Sequence, residues 1–178
     1  MSGAEWRYCP VCGRELGALT EGPDRGRAAC ARGHFVYYEN PAVTTMAFVQ
    51  EGEDFLILQR AREPLRRAWD LPGGFVEGGE HPTETVRREV FEETGVKVGE
   101  VKFHSSQPWP FPHSLMLGCI GQAETTELVI DTVEIAEARW FTRQDARLML
   151  ERRHPDGLTV PGKQAIANAL IASFVDAA

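Results

Sequence analysis

Residues 74–96, GFVEGGEHPTETVRREVFEETGV, constrain this chain more than any other stretch. Val86 and Val90 stand four apart, an apolar stripe that a helix over about 81–94 can bury. Glu89, Glu92 and Glu93 fall at i, i+3 and i+4 and crowd another side of that helix, where like charges cost roughly 0.2–0.5 kcal/mol per pair. An isolated E-x-x-E-E is ordinarily a solvated surface. A divalent cation among the carboxylates relieves the repulsion, and hard oxygen donors suit Mg²⁺ or Mn²⁺, which complete their shells with water and substrate phosphates. Pro82 suits the first helical position and Glu84 the first turn. Ahead of the helix, Gly73, Gly74, Gly78 and Gly79 let the backbone approach itself and a ligand closely. Glu80 ends that loop within reach of the carboxylates, and Arg88 is placed to neutralise or orient one of them.

The rest of the chain supplies a body for this helix. From Pro41 onward, residues 42–50 and about 54–60 are β-prone runs joined by the hairpin signal EGED. Further strands are expected in VKVGEVKFHSSQ, SLMLGCIGQAE and AEARWFTR, and a helix near 142–151. At the carboxyl end Ile166, Leu170, Ile171 and Phe174 recur at helical spacing. The order predicts an α/β fold, a mixed sheet with helices on its faces. A length of 178 residues allows one domain, or one domain with a small appendage. No apolar run approaches the ~20 residues of a membrane span. The start MSGAEWRYCP lacks the basic cluster and apolar core of a leader, so a cytoplasmic location without a membrane partner is expected. The net charge of −7 argues against a broad footprint for duplex nucleic acid, but not against a nucleotide bound through metal ions.

The first 35 or so residues are too poor in branched apolar side chains to make a core. Cys9 and Cys12 have the spacing of a zinc knuckle, and Cys30 with His34 completes a tetrahedral donor set. Zinc would fold a segment that has no core of its own, which makes residues 1–38 a zinc-ribbon appendage and 39–178 the main domain. Gly33 stands where a second C-x-x-C would place cysteine. A structural or dimer-forming role suits this ribbon better than a nucleic-acid contact, given the acidic balance. Cys119 sits in an apolar run and reads as a small buried hydrophobe.

In SQPWPFPHSLM, residues 106–116, Pro108, Pro110 and Pro112 each fix φ and remove a donor. The segment is expected to be a stiff, preformed loop. Trp109 and Phe111 must then enter the core or meet a flat ligand.

Residues Gly74, Glu80, Arg88, Glu89, Val90, Glu92, Glu93, Gly95 and Val96 fill the pattern G-x5-E-x7-R-E-U-x-E-E-x-G-U, with U apolar, and so resemble the Nudix hydrolase family. The resemblance implies a Nudix α/β/α sandwich and hydrolysis of a nucleoside diphosphate linked to another group. It implies Mg²⁺ or Mn²⁺ on Glu89, Glu92 and Glu93, with Glu80 and the backbone of Gly73 contributing, and Glu93 as first choice of base, with Arg88 beside it. The run SQPWPFP-x-S, here Ser106 through Pro112 and Ser114, resembles the NADH pyrophosphatase branch. That branch implies Glu134, in LVIDTVEIAEARWF, as a further metal ligand. Its implied substrate contacts are Gln107, Pro108, Trp109, Pro110, Phe111, Pro112, Ser114, Tyr38 and Ala167. An aromatic on a proline scaffold can stack on a nucleotide ring at little ordering cost. The expected reaction is attack of water on phosphorus, splitting NADH or NAD⁺ into NMN(H) and AMP. ADP-ribose, FAD and NAD-capped RNA are alternative substrates, and a non-catalytic nucleotide sensor is the alternative of another class. Relatives of this branch imply a homodimer. The branch often carries an amino-terminal domain; only eight residues precede Cys9, so contacts made by that domain are expected to be absent or replaced.

Overall fold

The computed structural model describes residues 6–111 and 113–177, and the chain divides between Pro41 and Ala42 into two compact units. The first carries two short strands, β1 (Gly17–Ala18) and β2 (Ala28–Ala29), paired antiparallel. Among its described residues only Cys9, Ala29 and Cys30 are buried, so no apolar core holds it.

The second unit contains β3 (Ala42–Glu51), β4 (Asp54–Arg60), β5 (Trp69–Asp70), helix α1 (Pro82–Thr94), β6 (Val98–Trp109), β7 (Ser114–Ala123), β8 (Ile135–Thr142), α2 (Arg143–Leu150) and α3 (Ile166–Asp176). Its sheet runs in the order β5, β4, β3, β7, β6, with β8 also paired to β4. β3 and β7 are parallel, and the other pairs antiparallel. Side chains alternate across the sheet with period two. Ala47, Val49 and Leu56 face one core with Val86 and Val90 of α1, whereas Phe48, Phe55 and Ile57 face the other with Leu170, Ile171 and Phe174 of α3. The expected α/β/α sandwich with a mixed sheet is the architecture that forms.

The local signals of α1 act as read. Pro82 occupies its first turn, the Glu84 carboxylate accepts from His81 N–H at 2.7 Å, and Gly95 ends the helix in the left-handed region at φ 74°.

Two expectations change. Strands β3 and β4 form a hairpin only at its closed end, pairing at Gln50 with Phe55 and Glu51 with Asp54. Beyond that they part, and the glycine segment runs along β3 instead: Ala47 N–H donates to Pro72 O, Thr45 N–H to Gly74 O, and Val76 N–H to Val43 O. Also, SQPWPFP is not wholly a loop. Residues through Trp109 belong to β6, with Gln107 opposite Met116 and Pro108 opposite Leu115. Proline is tolerated there because β6 is the last strand on its side of the sheet, where only one neighbour takes ladder bonds.

The approach of the glycine segment to β3 is tight. A Cβ at Gly73 would lie 2.2 Å from Thr45 O, a backbone atom that cannot swing aside. Gly73→Ala is therefore expected to destabilise the unit by about 1–3 kcal/mol. Urea unfolding followed by tryptophan fluorescence would read this as a lower midpoint, and an unchanged midpoint would refute it.

Candidate active site

Helix α1 and the loop between β7 and β8 build an acidic cavity of about 460 Å³, lined by Glu89, Glu92, Glu93, Asp131 and Glu134. Glu93 stands four residues after Glu89, and its Oε2 accepts from Gly73 N–H at 3.0 Å. Burial pushes its carboxyl up to about 8, with repulsion from Glu89 and Glu134 adding to the effect against the Gly73 hydrogen bond. Glu89 is also raised by burial, while Arg88 opposes the shift. Gly74 leaves the space that Glu89 needs, because a Cβ there would sit 2.2 Å from its carboxylate.

Asp131 and Glu134 reach the cavity through backbone bonds to the end of α1. Val129 N–H donates to Thr94 O at 2.8 Å and Asp131 N–H to Glu93 O at 3.2 Å, so the loop uses carbonyls that the helix leaves unpaired. Glu134 Oε1 also accepts from Arg62 Nη1 at 3.2 Å. Sequence reasoning did not single out Asp131. Its only local signal is an acidic residue three positions before Glu134.

Arg88 ties the glycine loop to the helix. Its Nε donates to Glu80 Oε1 at 2.6 Å, its Nη2 to Glu80 Oε2 and Phe75 O at 3.0 Å each, and its Nη1 to Glu89 Oε1 at 2.8 Å and Glu92 Oε2 at 3.1 Å. Glu80 accepts further from Glu77 N–H and Thr85 Oγ1. The structure thus gives Glu80 to Arg88 rather than to the acidic cavity. Five oxygens from two elements of the chain share one guanidinium, a planar donor suited to such a fork.

A second cavity, of about 690 Å³, is lined by Gln107, Trp109 and Ala167, among others. That volume lies within the usual range for small-ligand sites. Gln107 Nε2 donates to Gln164 O, while its Oε1 is buried without a hydrogen bond. Trp109 and Phe111 meet edge to face with centroids 6.0 Å apart, yet Phe111 is 75% exposed and does not line the cavity. Pro108 and Pro110 are exposed, and Ser114 is buried at the start of β7 opposite Ala42. Pro112 lies outside the described residues. Asp70, Arg60 and Arg67 also line this cavity, and none was anticipated from the sequence.

In the first unit, one ligand atom each from Cys9, Cys12, Cys30 and His34 lies within 4.8 Å of the others. Cys12 Sγ and Cys30 Sγ are 3.6 Å apart, near the ~3.8 Å edge implied by zinc–sulfur bonds of about 2.3 Å in a tetrahedron. Each knuckle closes on its first cysteine: Gly13 N–H donates to Cys9 O four residues back and Gly33 N–H to Cys30 O three back, with φ of 67° and 74° at the glycines. Gly33 thus serves as a turn residue, and His34 supplies the fourth donor. Tyr38 lies under the Arg27 guanidinium at 4.9 Å and donates to Asp24 Oδ2 at 3.0 Å.

The Arg88 pair sets a pH dependence. Its hydrogen bonds, with those from Glu77 and Thr85, lower Glu80 from 4.5 to about 2. A depressed carboxyl contributes stability that is present above its unfolded value and lost as pH falls through the folded one. The gap in melting temperature between wild type and Glu80→Gln is expected to be full above about pH 5 and to close toward pH 2–3. A gap that stays constant over that range would contradict this.

Comparison with known proteins agrees with this geometry. The NUDIX domain pattern matches residues 39–160. The NAD-capped RNA hydrolase NUDT12 of Homo sapiens is 35% identical over 97% of the chain, and the NAD-capped RNA hydrolase NudC of Pseudomonas syringae is 33% identical over 96%. The chain spans only 38% and 56% of the lengths of these two relatives. Among solved structures, a NUDIX hydrolase from Nitrosomonas europaea superposes with a TM-score of 0.65 at 26% identity, covering 78% of this chain and 79% of that one. With more than half its length matched by the pattern, this chain belongs to the NUDIX domain family.

Proposed function

We propose that this chain hydrolyses the diphosphate of NADH and NAD⁺, giving NMN(H) and AMP, with residues 1–38 as a zinc ribbon and 39–178 as the hydrolase domain. The observation that carries the reading is the convergence of Glu89, Glu92, Glu93, Asp131 and Glu134 on one cavity, with the glycine loop held against Glu93. The donor set is all oxygen, which suits Mg²⁺ or Mn²⁺. Bound at Glu89, Glu92, Glu93 and Glu134, with the backbone of Gly73 beside them, such cations would neutralise the diphosphate and make water acidic enough to attack phosphorus. Glu93 accepts the proton of the attacking water. The Gly73 hydrogen bond holds one oxygen of Glu93 and leaves the other free for that proton. Arg88 holds Glu89 and Glu92 in place from the side of the glycine loop.

The dinucleotide is supported by the larger cavity, where Gln107 and Trp109 sit with Ala167, and by the names of the two NAD-capped RNA hydrolases to which the chain is similar. Pro108, Pro110 and Phe111 shape the exposed end of β6 that carries Trp109. Pro112 and Ser114 keep the substrate-contact role that the branch implies. Among the described residues no helix is long and apolar enough to cross a membrane; we place the reaction in the cytoplasm, in a homodimer.

Hydrolysis of NADH, NAD⁺, ADP-ribose, FAD and an NAD-capped RNA, assayed in parallel with Mg²⁺ and with Mn²⁺, tests the substrate. NADH or NAD⁺ is expected to give the highest kcat/KM, whereas a tenfold preference for ADP-ribose or FAD would sink the assignment, and no turnover of any would favour a nucleotide sensor. Glu93→Gln is expected to lower kcat by roughly 10²–10⁴-fold; full turnover in that variant would exclude Glu93 as the base.

Zinc is the ion we assign to Cys9, Cys12, Cys30 and His34. Chelation is expected to release about one zinc per chain and to speed amide exchange across residues 6–41, since that unit lacks an apolar core. Unchanged exchange after the metal is stripped would remove its structural role.

A further inference from the structure

The larger cavity holds a polar group that the proposed chemistry does not use. Trp69, Met46, Met116 and Leu158 give it apolar walls, and Trp109 adds a flat one. Arg60 and Arg67 also line it, and Asp70 is the single carboxylate among its described lining residues. The two arginines suit phosphate; a carboxylate does not.

Asp70 sits on β5, opposite Leu58 of β4, so its backbone is fixed by the sheet. Its Oδ1 accepts from Leu71 N–H at 2.8 Å. Its Oδ2 has no hydrogen-bond partner among the described residues, and Asp70 lines the cavity. Burial raises the carboxyl to about 6, with the Leu71 bond and the more distant charge of Arg60 opposing the shift. The group is therefore an anion at pH 8, poorly solvated and one donor short. Arg60 lines this cavity beside Asp70, and its charge also opposes the rise of Glu93 in the acidic one.

We propose that Asp70 is a specificity-determining residue that accepts a hydrogen bond from an amino group on one ring of the substrate, resting on the dinucleotide reading above. Two sources share this chemistry: the exocyclic amine of adenine and the carboxamide N–H of nicotinamide. A site that hydrogen-bonds a substrate N–H rejects the analogue lacking it, because the buried acceptor is left unpaired. A merely structural role would be met equally by a side-chain amide, whose oxygen can accept the Leu71 bond. Asp70→Asn would then turn an N–H donor toward the cavity in place of the acceptor.

The test measures kcat and KM of the Mg²⁺-loaded full chain on NAD⁺, its hypoxanthine analogue and its nicotinic acid analogue. The analogues replace the adenine amine by a carbonyl and the carboxamide by a carboxylate. For the wild type, kcat/KM is expected to fall at least tenfold on one analogue, and which one identifies the ring that Asp70 faces. Asp70→Asn should shift that selectivity ratio at least tenfold toward the analogue, chiefly through KM, and Asp70→Ala should abolish the preference. Equal use of all three substrates by the wild type, or ratios unchanged within twofold in Asp70→Asn, overturns the proposal while leaving the hydrolase reading intact. Calorimetric binding of AMP, IMP, NMN and nicotinic acid mononucleotide to the wild type reads the same preference without turnover. A chain that cleaves no dinucleotide would thus refute the reaction, and its tenfold or absent preference within each mononucleotide pair would still decide the role of Asp70.

Discussion

Arg88 is the cation on which the arrangement of the acidic helix depends, because it is held on both sides at once: by Glu80 and Phe75 O from the glycine loop, and by Glu89 and Glu92 from its own helix. Placing three carboxylates within five residues of a helix is unfavourable by itself. One guanidinium offsets part of that repulsion and, in doing so, draws residues 75–80 down onto α1. Glu89 then lies against Gly74, and Gly73 N–H reaches Glu93. Loop position and carboxylate position are a single constraint.

The sheet supplies the other half of the frame. Parting of β3 and β4 beyond their turn exposes the edge of β3 to the glycine segment, which forms ladder-like bonds there through residues 72–76. A loop that pairs with a strand is far less free than one that merely spans two elements. The acidic cavity is in this way anchored to the middle of the sheet, whereas Asp131 and Glu134 arrive through the last carbonyls of α1. Both anchors are backbone bonds, which side-chain substitutions elsewhere leave in place.

Much of this was legible in the sequence where the causes are local. Pro82, Glu84 and Gly95 mark the ends of α1, and Ile166, Leu170, Ile171 and Phe174 mark the buried face of α3. Spacing alone brought Cys9, Cys12, Cys30 and His34 together. What was not legible depends on partners distant in the chain. Glu80 is near the acidic residues by sequence, but Arg88 takes both of its oxygens. Asp131 joins them only because Val129 and Asp131 find the end of a helix more than thirty residues earlier. Asp70 looks like an ordinary turn residue before P-G-G, and only the fold encloses it. The proline run misled for a different reason: the rule that excludes proline from strands concerns central ones, and β6 has a neighbour on one side alone.

That position of β6 bears on how the protein behaves in a crowded solution. A twelve-residue strand with one unpaired edge within its unit is a template for pairing with strands of other chains. Here the register with β7 shifts twice, between Val98 and Val101 and again between Phe103 and Ser105, so the edge is never long and flat. Glu100 and Lys102 place charges on the stretch between, and Pro108 offers no N–H near its end. The same residue that stiffens the approach to Trp109 thereby also guards the strand against aggregation.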